Sequence, residues 1–418
     1  MKNYLLLPFY IAQVLTVLVL FPAFRNLSSI YFLITILLIF IVLLEFIKNP
    51  HKGGFHMKIF YFFLVYSIFV IFWSGIYMQS LAFLPGVPRL LLMLIMALIF
   101  IITLKTEKQV TSILKIILFC YIIAAISIIY QIIFGPISWF ASPHRRAGLD
   151  RYASILGSLT VYGAIAGYPL IILYSKLPLI KNTFLKIAFI LIIFLSAFFS
   201  LSKAAIIMLA LSMIVFITFD GARFIRQTKP SNFVIYSLVI VLGVFIVGQI
   251  PEIYSYYNAI VAQTIGHNSF LTDYSGVMDS PSINIDQLIR RLTHWTSGMI
   301  IEYGNIVYFL GIGLQGGAGV MGMNPDVGVY GSAHNSLGDL FFMGGLPYLL
   351  IFIIMYFFVQ LTLFMNREIP LAKVLFMLNI LFFANLLVAS GSIFQPAISV
   401  CFWLSLAYSN ILNKNNNN

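Results

Sequence analysis

Long apolar runs separated by short polar stretches make up most of the chain. Runs long enough to cross a bilayer, about 17–25 residues, fall at 4–24, 27–47, 59–79, 88–104, 112–134, 153–175, 184–200, 203–219, 232–250, 336–364, 372–390 and 394–412. They predict an all-α polytopic membrane protein with about 12 transmembrane helices. The runs at 184–200 and 203–219 are separated only by Leu201 and Ser202, which predicts two helices joined by a very tight turn. One polar stretch, 251–335, is far longer than the other connections and is punctuated by Gly, Asn, Ser and Pro. The expected organisation is nine helices over 1–250, one large outer loop with short helices over 251–335, and three more helices with a short tail over 336–418. The first run is expected to stay in place as a signal anchor, because no small-residue cleavage site follows it.

Composition excludes a soluble domain. Charged residues are 9% of the chain and hydrophobic residues 61%, against roughly 25% charged in soluble domains. The net charge of +12 does not point to nucleic acid, because the basic residues are scattered between apolar runs rather than clustered. Membrane topology accounts for them better. With the N-terminus inside, sixteen of the 24 Lys and Arg residues fall on inner connections and eight on outer ones. Both termini are then expected in the cytoplasm.

The kind of base also differs between the two sides. The inner set is 13 lysines and 3 arginines, whereas the outer set is Arg25, Arg89, Arg145, Arg146, Arg151, Arg290 and Arg291 with the single lysine Lys203. Arginine presents a planar fork that grips phosphate oxygens bidentately, so this distribution points to an anionic group at the outer surface. Arginines that simply snorkel at an interface are the competing explanation.

Candidate chemistry therefore collects on the outer side. The loop 135–151 carries Arg145 and Arg146. Lys203 opens a helix after Ser200-Leu201-Ser202, where the helix dipole and free N–H groups add to its charge. Arg290, Arg291 and Trp295 lie in the large loop, and a helix there would set Arg291 and Trp295 on one face. An indole beside a guanidinium suits a sugar-phosphate, though it also suits an interfacial anchor. Gly311 and Gly313 lack the Lys-Ser/Thr that a nucleotide loop needs, and flexible backbone near a substrate is the expectation for them. His334, at the outer end of a span and followed by Asn335, has the chemistry of a general base. The six histidines show no ligand spacing and there is no Asp-x-Asp, so neither a metal nor another cofactor is expected. Cys120 and Cys401 sit inside apolar runs and are expected to be packing residues.

In this order, the pieces resemble the bacterial O-antigen polymerase and O-antigen ligase superfamily. The resemblance is carried by the basic outer loop after the fifth span, Ser200-Leu201-Ser202-Lys203 opening a span, Arg291, Trp295, Gly311 and Gly313 in the large loop, and His334-Asn335-Ser336-Leu337 followed by Gly344-Gly345. Arg146 and Gly157 repeat an Arg-x10-Gly spacing of polymerase outer loops. The resemblance implies an inner-membrane glycosyltransferase with a periplasmic active site, acting on undecaprenyl-pyrophosphate-linked oligosaccharides amid membrane lipid, with a chain-length regulator protein as a partner. It implies that His334 activates the acceptor hydroxyl and that Arg291 holds the lipid pyrophosphate. Lys203 falls where many members have arginine, which keeps the charge but loses the bidentate contact. Arg145, Arg146, Arg290, Trp295 and Asn335 are the expected substrate contacts. Polymerase is favoured over ligase by the loop 135–151 and the Arg146–Gly157 spacing. A polysaccharide flippase and a structural envelope protein are the readings from other classes.

Overall fold

The computed structural model describes residues 6–21, 40, 55–78, 86–137, 144–146, 149–175, 177, 179–221, 305–314, 321–324, 329–332, 335–388 and 392–416. It is nearly all helical. Helices coincide with each expected span except 27–47 and 232–250, which lie outside the described residues apart from residue 40. Among the described residues, five helices are long and apolar enough to cross a membrane: Met57–Tyr77, Glu107–Phe134, Ala204–Gly221, Ser336–Met365 and Pro370–Leu387. Four further apolar helices there are shorter, at 10–17 residues. The chain divides into two compact units, residues 1–120, 174–179 and 294–418, and residues 121–173 and 180–293.

The first unit contains α1 (Leu6–Leu20), α2 (Phe55–Met78), α3 (Val87–Thr103) and the start of α4 (Glu107–Phe134). The rest of α4 belongs to the second unit. The start of α4 is set by a capping box, in which Gln109 Oε1 accepts from the N–H groups of Lys105 and Thr106 while Gln109 N–H donates back to Thr106 Oγ1. Helix α2 is inside-out by soluble standards. Ser67 and Ser74 face the protein, while Phe62, Val65, Phe72 and Ile76 are exposed. That arrangement is stable only against an apolar surround, where serines hydrogen-bond inward and large apolar groups lose nothing by facing out.

The second unit continues α4 and adds a short hairpin, β1 (His144–Arg146) with β2 (Leu149–Arg151), then α5 (Leu159–Ile165), α6 (Tyr168–Tyr174), α7 (Thr183–Phe199) and α8 (Lys203–Phe216). A π turn, Ile217–Gly221, continues α8. The expected span 153–175 is thus two short helices. Residues 152–157 return to α4, where Ser127 Oγ accepts from Ile155 N–H at 3.1 Å and Gln131 Nε2 donates to Ala153 O at 2.9 Å. Two glycines one turn apart, Gly163 and Gly167, let α5 and its continuation press against α8. A Cβ on Gly163 would stand 2.6 Å from Ser202 Oγ, and one on Gly167 would collide with the Met208 carbonyl oxygen.

The remainder of the first unit is α9 (Ile306–Leu310), a second hairpin of β3 (Met321–Asn324) and β4 (Val329–Ser332), α10 (Ser336–Met365), α11 (Pro370–Val388), a 3-10 turn at Ser392–Phe394, and α12 (Pro396–Asn416). The prolines at the first positions of α11 and α12 sit where a helix needs no N–H. Helix α10 is broken about a third of the way along. Gly345 has φ +73° and ψ −173°, a conformation open to glycine, and Pro347 two residues on cannot donate to the preceding turn. Helix α10 packs on α2, α9, α11 and α12, and α12 also packs on α3.

Candidate functional site

The break in α10 is repaired by a neighbouring strap. Residues Gly311–Leu314 run along the broken segment, and Ile312 and Gly313 N–H groups donate to Phe342 O and Met343 O at 2.6 and 3.1 Å. Tyr66 OH donates to Gly344 O at 2.9 Å and lies 3.2 Å from Phe309 O. Trp73 Nε1 donates to Gly311 O at 3.1 Å, and Leu314 N–H donates to Ser74 Oγ at 2.6 Å. Carbonyls released by the break are therefore occupied, as an apolar surround demands. The strap meets α2 within its apolar span Met57–Tyr77.

The Gly-x-Gly of the large loop acquires a structural reason here. Gly311 and Gly313 have φ +66° and +82°. A Cβ would lie 2.5 Å from Phe342 O on the first and 2.5 Å from Ser74 Oγ on the second. These glycines are buried and closely packed rather than loose.

A buried polar seat surrounds the start of α10. Asn335 is the N-cap, its Oδ1 accepting from Gly338 N–H. Ser336 Oγ accepts from Ser392 N–H at 2.7 Å, and Ser392 Oγ lies 3.3 Å from Asn385 O. Asp339, one turn further on, is 0% exposed. The start of α10, the end of α11 and the 3-10 turn are joined through this seat.

In the second unit, Ser200-Leu201-Ser202-Lys203 forms the turn between α7 and α8. Ser200 Oγ accepts from Ser202 N–H at 3.3 Å and donates to Ala197 O at 2.7 Å. Leu201 is buried with φ +50°, a conformation that costs a non-glycine residue roughly 1–2 kcal/mol. Lys203 is the first residue of α8, directly after the N-cap Ser202. Tyr162 and Ser196 share a buried hydrogen bond between α5 and α7.

Of the residues singled out from sequence, Asn335 is buried in the seat with its side-chain oxygen committed to the cap. Arg145 and Arg146 lie in β1, paired with Asp150 and Leu149, and Lys203 opens α8. Arg290, Arg291, Trp295 and His334 lie outside the described residues. Asp339, Ser336, Asn385 and Ser392 did not stand out in the sequence. The usable signal for the first was an acidic residue inside an otherwise apolar run. Among the described residues no group of three His, Cys, Asp or Glu side chains could hold a metal ion, and both cysteines are buried thiols outside any disulfide. The chain matches no protein-family model, no curated protein and no solved structure.

Proposed function

We propose that the chain is a membrane glycosyltransferase that polymerises a surface polysaccharide, transferring a growing glycan from polyprenyl pyrophosphate to a hydroxyl of another lipid-linked repeat unit. The observation that carries this reading is the ordered set of motifs, Ser200 to Lys203, Arg291 with Trp295, Gly311 with Gly313, and His334 to Leu337, in a chain of apolar helices. In the proposed reaction the acceptor oxygen bonds to the anomeric carbon as the bond from that carbon to the pyrophosphate oxygen breaks. His334 takes the proton of the acceptor hydroxyl. Arg291 and Lys203 stabilise the charge growing on the departing pyrophosphate. The displacement inverts the anomeric carbon, and the activated leaving group supplies the driving force.

Two of the glycine motifs are neighbours in space. Gly-x-Gly and Gly344-Gly345, separated in sequence, meet at the α10 break. The same break speaks for a second reading, a polysaccharide flippase, because transporters build sites on discontinuous helices. Against that, Phe342 O, Met343 O and Gly344 O each already accept a hydrogen bond from the strap or Tyr66, which ties the break to its neighbours rather than leaving bare carbonyls for an ion.

Glycan ladders from cells lacking the chain, complemented with wild type or His334→Ala, test the proposal. Expected are lipid A–core bearing a single repeat unit in the deletion and in the variant, and a full ladder with wild type. Long chains retained on the polyprenyl carrier beside bare core would make the chain a ligase. An unchanged ladder in the deletion would remove both transferase readings.

A further inference from the structure

We propose that residues 306–314 lie inside the membrane, with α9 at about its mid-depth facing lipid hydrocarbon and the strap rising from there toward the surface at which α10 begins. The inference rests on the membrane character of the chain and not on the transferase chemistry. The depth is read from α2. Tyr66 stands nine residues past the start of the apolar span Met57–Tyr77 and eleven before its end. At 1.5 Å per residue that is roughly 15 Å from either end, the middle of a hydrocarbon core of about 30 Å. Tyr66 OH lies 3.2 Å from the carbonyl oxygen of Phe309, in the last turn of α9. Further along α2, Trp73 Nε1 donates to Gly311 O and Ser74 Oγ accepts from Leu314 N–H, and Ser74 is only three residues from the end of the span. On α10 the path starts at Gly345, nine residues past Ser336, where a Cβ would stand 2.5 Å from the Phe309 carbonyl carbon. It then runs back toward the start of α10, past Met343 and Phe342. Two helices thus give the same depth and the same direction.

The side chains suit that depth. Ile306, Tyr308 and Phe309 of α9 are exposed, Phe309 by 68%. At the same level the exposed residues are Val65 and Phe69 on α2 and Leu346 and Leu350 on α10. In water this would be a contiguous apolar patch in need of a partner, whereas lipid tails are as apolar as the side chains and cover it without loss. The backbone meets a harder condition, because non-helical chain at membrane depth must be covered by protein with its polar groups satisfied. Ile312 is 0% and Leu314 5% exposed. The N–H groups of Ile312, Gly313 and Leu314 and the carbonyls of Phe309 and Gly311 all have partners on α2 or α10. Part of the polar stretch 251–335 thus belongs to the bilayer. Helix α9, with five residues, is far too short to register as a span.

The test uses the full chain in lipid nanodiscs, with Cys120 and Cys401 replaced by alanine and one nitroxide label attached at a time. Phe309→Cys and Ile306→Cys carry the label on α9, Val65→Cys carries it at the middle of α2, and Ile76→Cys near the end of the α2 span. The readout is the ratio of collision rates with oxygen, which concentrates in hydrocarbon, and with a water-soluble nickel chelate. Expected at both α9 positions is a ratio within about twofold of that at Val65 and at least about threefold above that at Ile76. Ratios on α9 no higher than at Ile76, beside a high one at Val65, overturn the inference. Nickel access at Val65 as well as on α9 brings down the membrane reading, and the inference with it. A second measurement keeps both cysteines. Benzoyl-phenylalanine in place of Phe309 is expected to form an adduct with lipid on irradiation, as it does in place of Val65, read by mass spectrometry. A lipid adduct at Val65 and none at Phe309 overturns the inference as well.

Discussion

Replacing Gly313 with alanine separates two reasons for a glycine that usually come together. At Gly313 the backbone is left-handed, with φ +82°, and a methyl group would also stand 2.5 Å from Ser74 Oγ and 2.7 Å from Ser74 Cα. Gly135 has the same kind of backbone, φ +91°, with nothing within 4 Å of a Cβ. Gly135→Ala should therefore cost only the conformational term, roughly 1–2 kcal/mol. Gly313→Ala carries that term and must also push the strap away from α2. The displacement strains or breaks the 2.6 Å bond from Leu314 N–H to Ser74 Oγ, a loss of about 1 kcal/mol, and overpacking of this kind costs about 1–3 kcal/mol more. The expected total is roughly 3–6 kcal/mol, a large share of the roughly 5–15 kcal/mol typical of folded proteins. Equilibrium unfolding in mixed micelles, comparing both variants with Ser74→Ala, reads the difference directly. Equal destabilisation by Gly313→Ala and Gly135→Ala would refute the claim that close packing of the strap dictates the Gly-x-Gly.

Two more outcomes follow from buried contacts. Ser67 Oγ and Tyr348 OH are hydrogen-bonded at 2.8 Å with both residues fully buried. Ser67→Ala should therefore cost about 1–3 kcal/mol by stranding the phenol, and adding Tyr348→Phe should recover much of that loss in the same unfolding measurement; further loss in the double variant would show that the bond is not the main tie. Gly167→Ala should destabilise the second unit by about 1–3 kcal/mol, because the new methyl meets the Met208 backbone rather than a movable side chain, and an unchanged thermal midpoint would show that α8 is free to retreat.

The helices were legible because apolar runs of fixed length have few alternatives in a hydrocarbon solvent. Breaks inside those runs were harder to read. Gly344-Gly345-Leu346-Pro347 is a helix-breaking sequence, yet it sits in a run long enough to be read as one span. Where it breaks depends on the strap's N–H groups and on Tyr66, an early residue of the chain that reaches Gly344 O from α2. The junction of α5 and α6 offers the same lesson without a proline: Ala166 and Gly167 part the two helices, and the glycine there answers to Met208 rather than to its own neighbours. The hairpins were missed for a different reason. β1 and β2 are separated only by Ala147-Gly148, and β3 and β4 by Pro325-Asp326-Val327-Gly328; both are turn sequences, but the strands of three and four residues show no period to detect. At the candidate site, Lys203 was legible as a helix start, whereas the seat at the start of α10 depends on Ser392 and Asn385 arriving from the turn after α11 and from α11 itself.

Helix α12 shows why hydropathy alone ranks membrane helices poorly. Its run, 394–412, looks like a final lipid-facing span, yet Pro396–Asn416 carries Ser399, Ser405, Ser409 and Asn410 and buries all four. Ser405 Oγ lies 3.3 Å from Asn379 Oδ1 of α11 and 2.7 Å from Cys401 O, while Tyr356 OH of α10 donates to Asn379 O at 3.0 Å. Lipid tails are as apolar as leucine, so apolar burial does little to hold helices together in a bilayer, and close packing with interhelical hydrogen bonds takes over. A helix surrounded by α3, α10 and α11 can carry polar groups at low cost, whereas α2, with one face outward, confines its serines to the other. Polar residues inside an apolar run thus mark the face turned toward protein. By that rule Ser336, Asp339, Asn379, Asn385 and Ser392, all buried, trace the interior of the α10–α12 bundle.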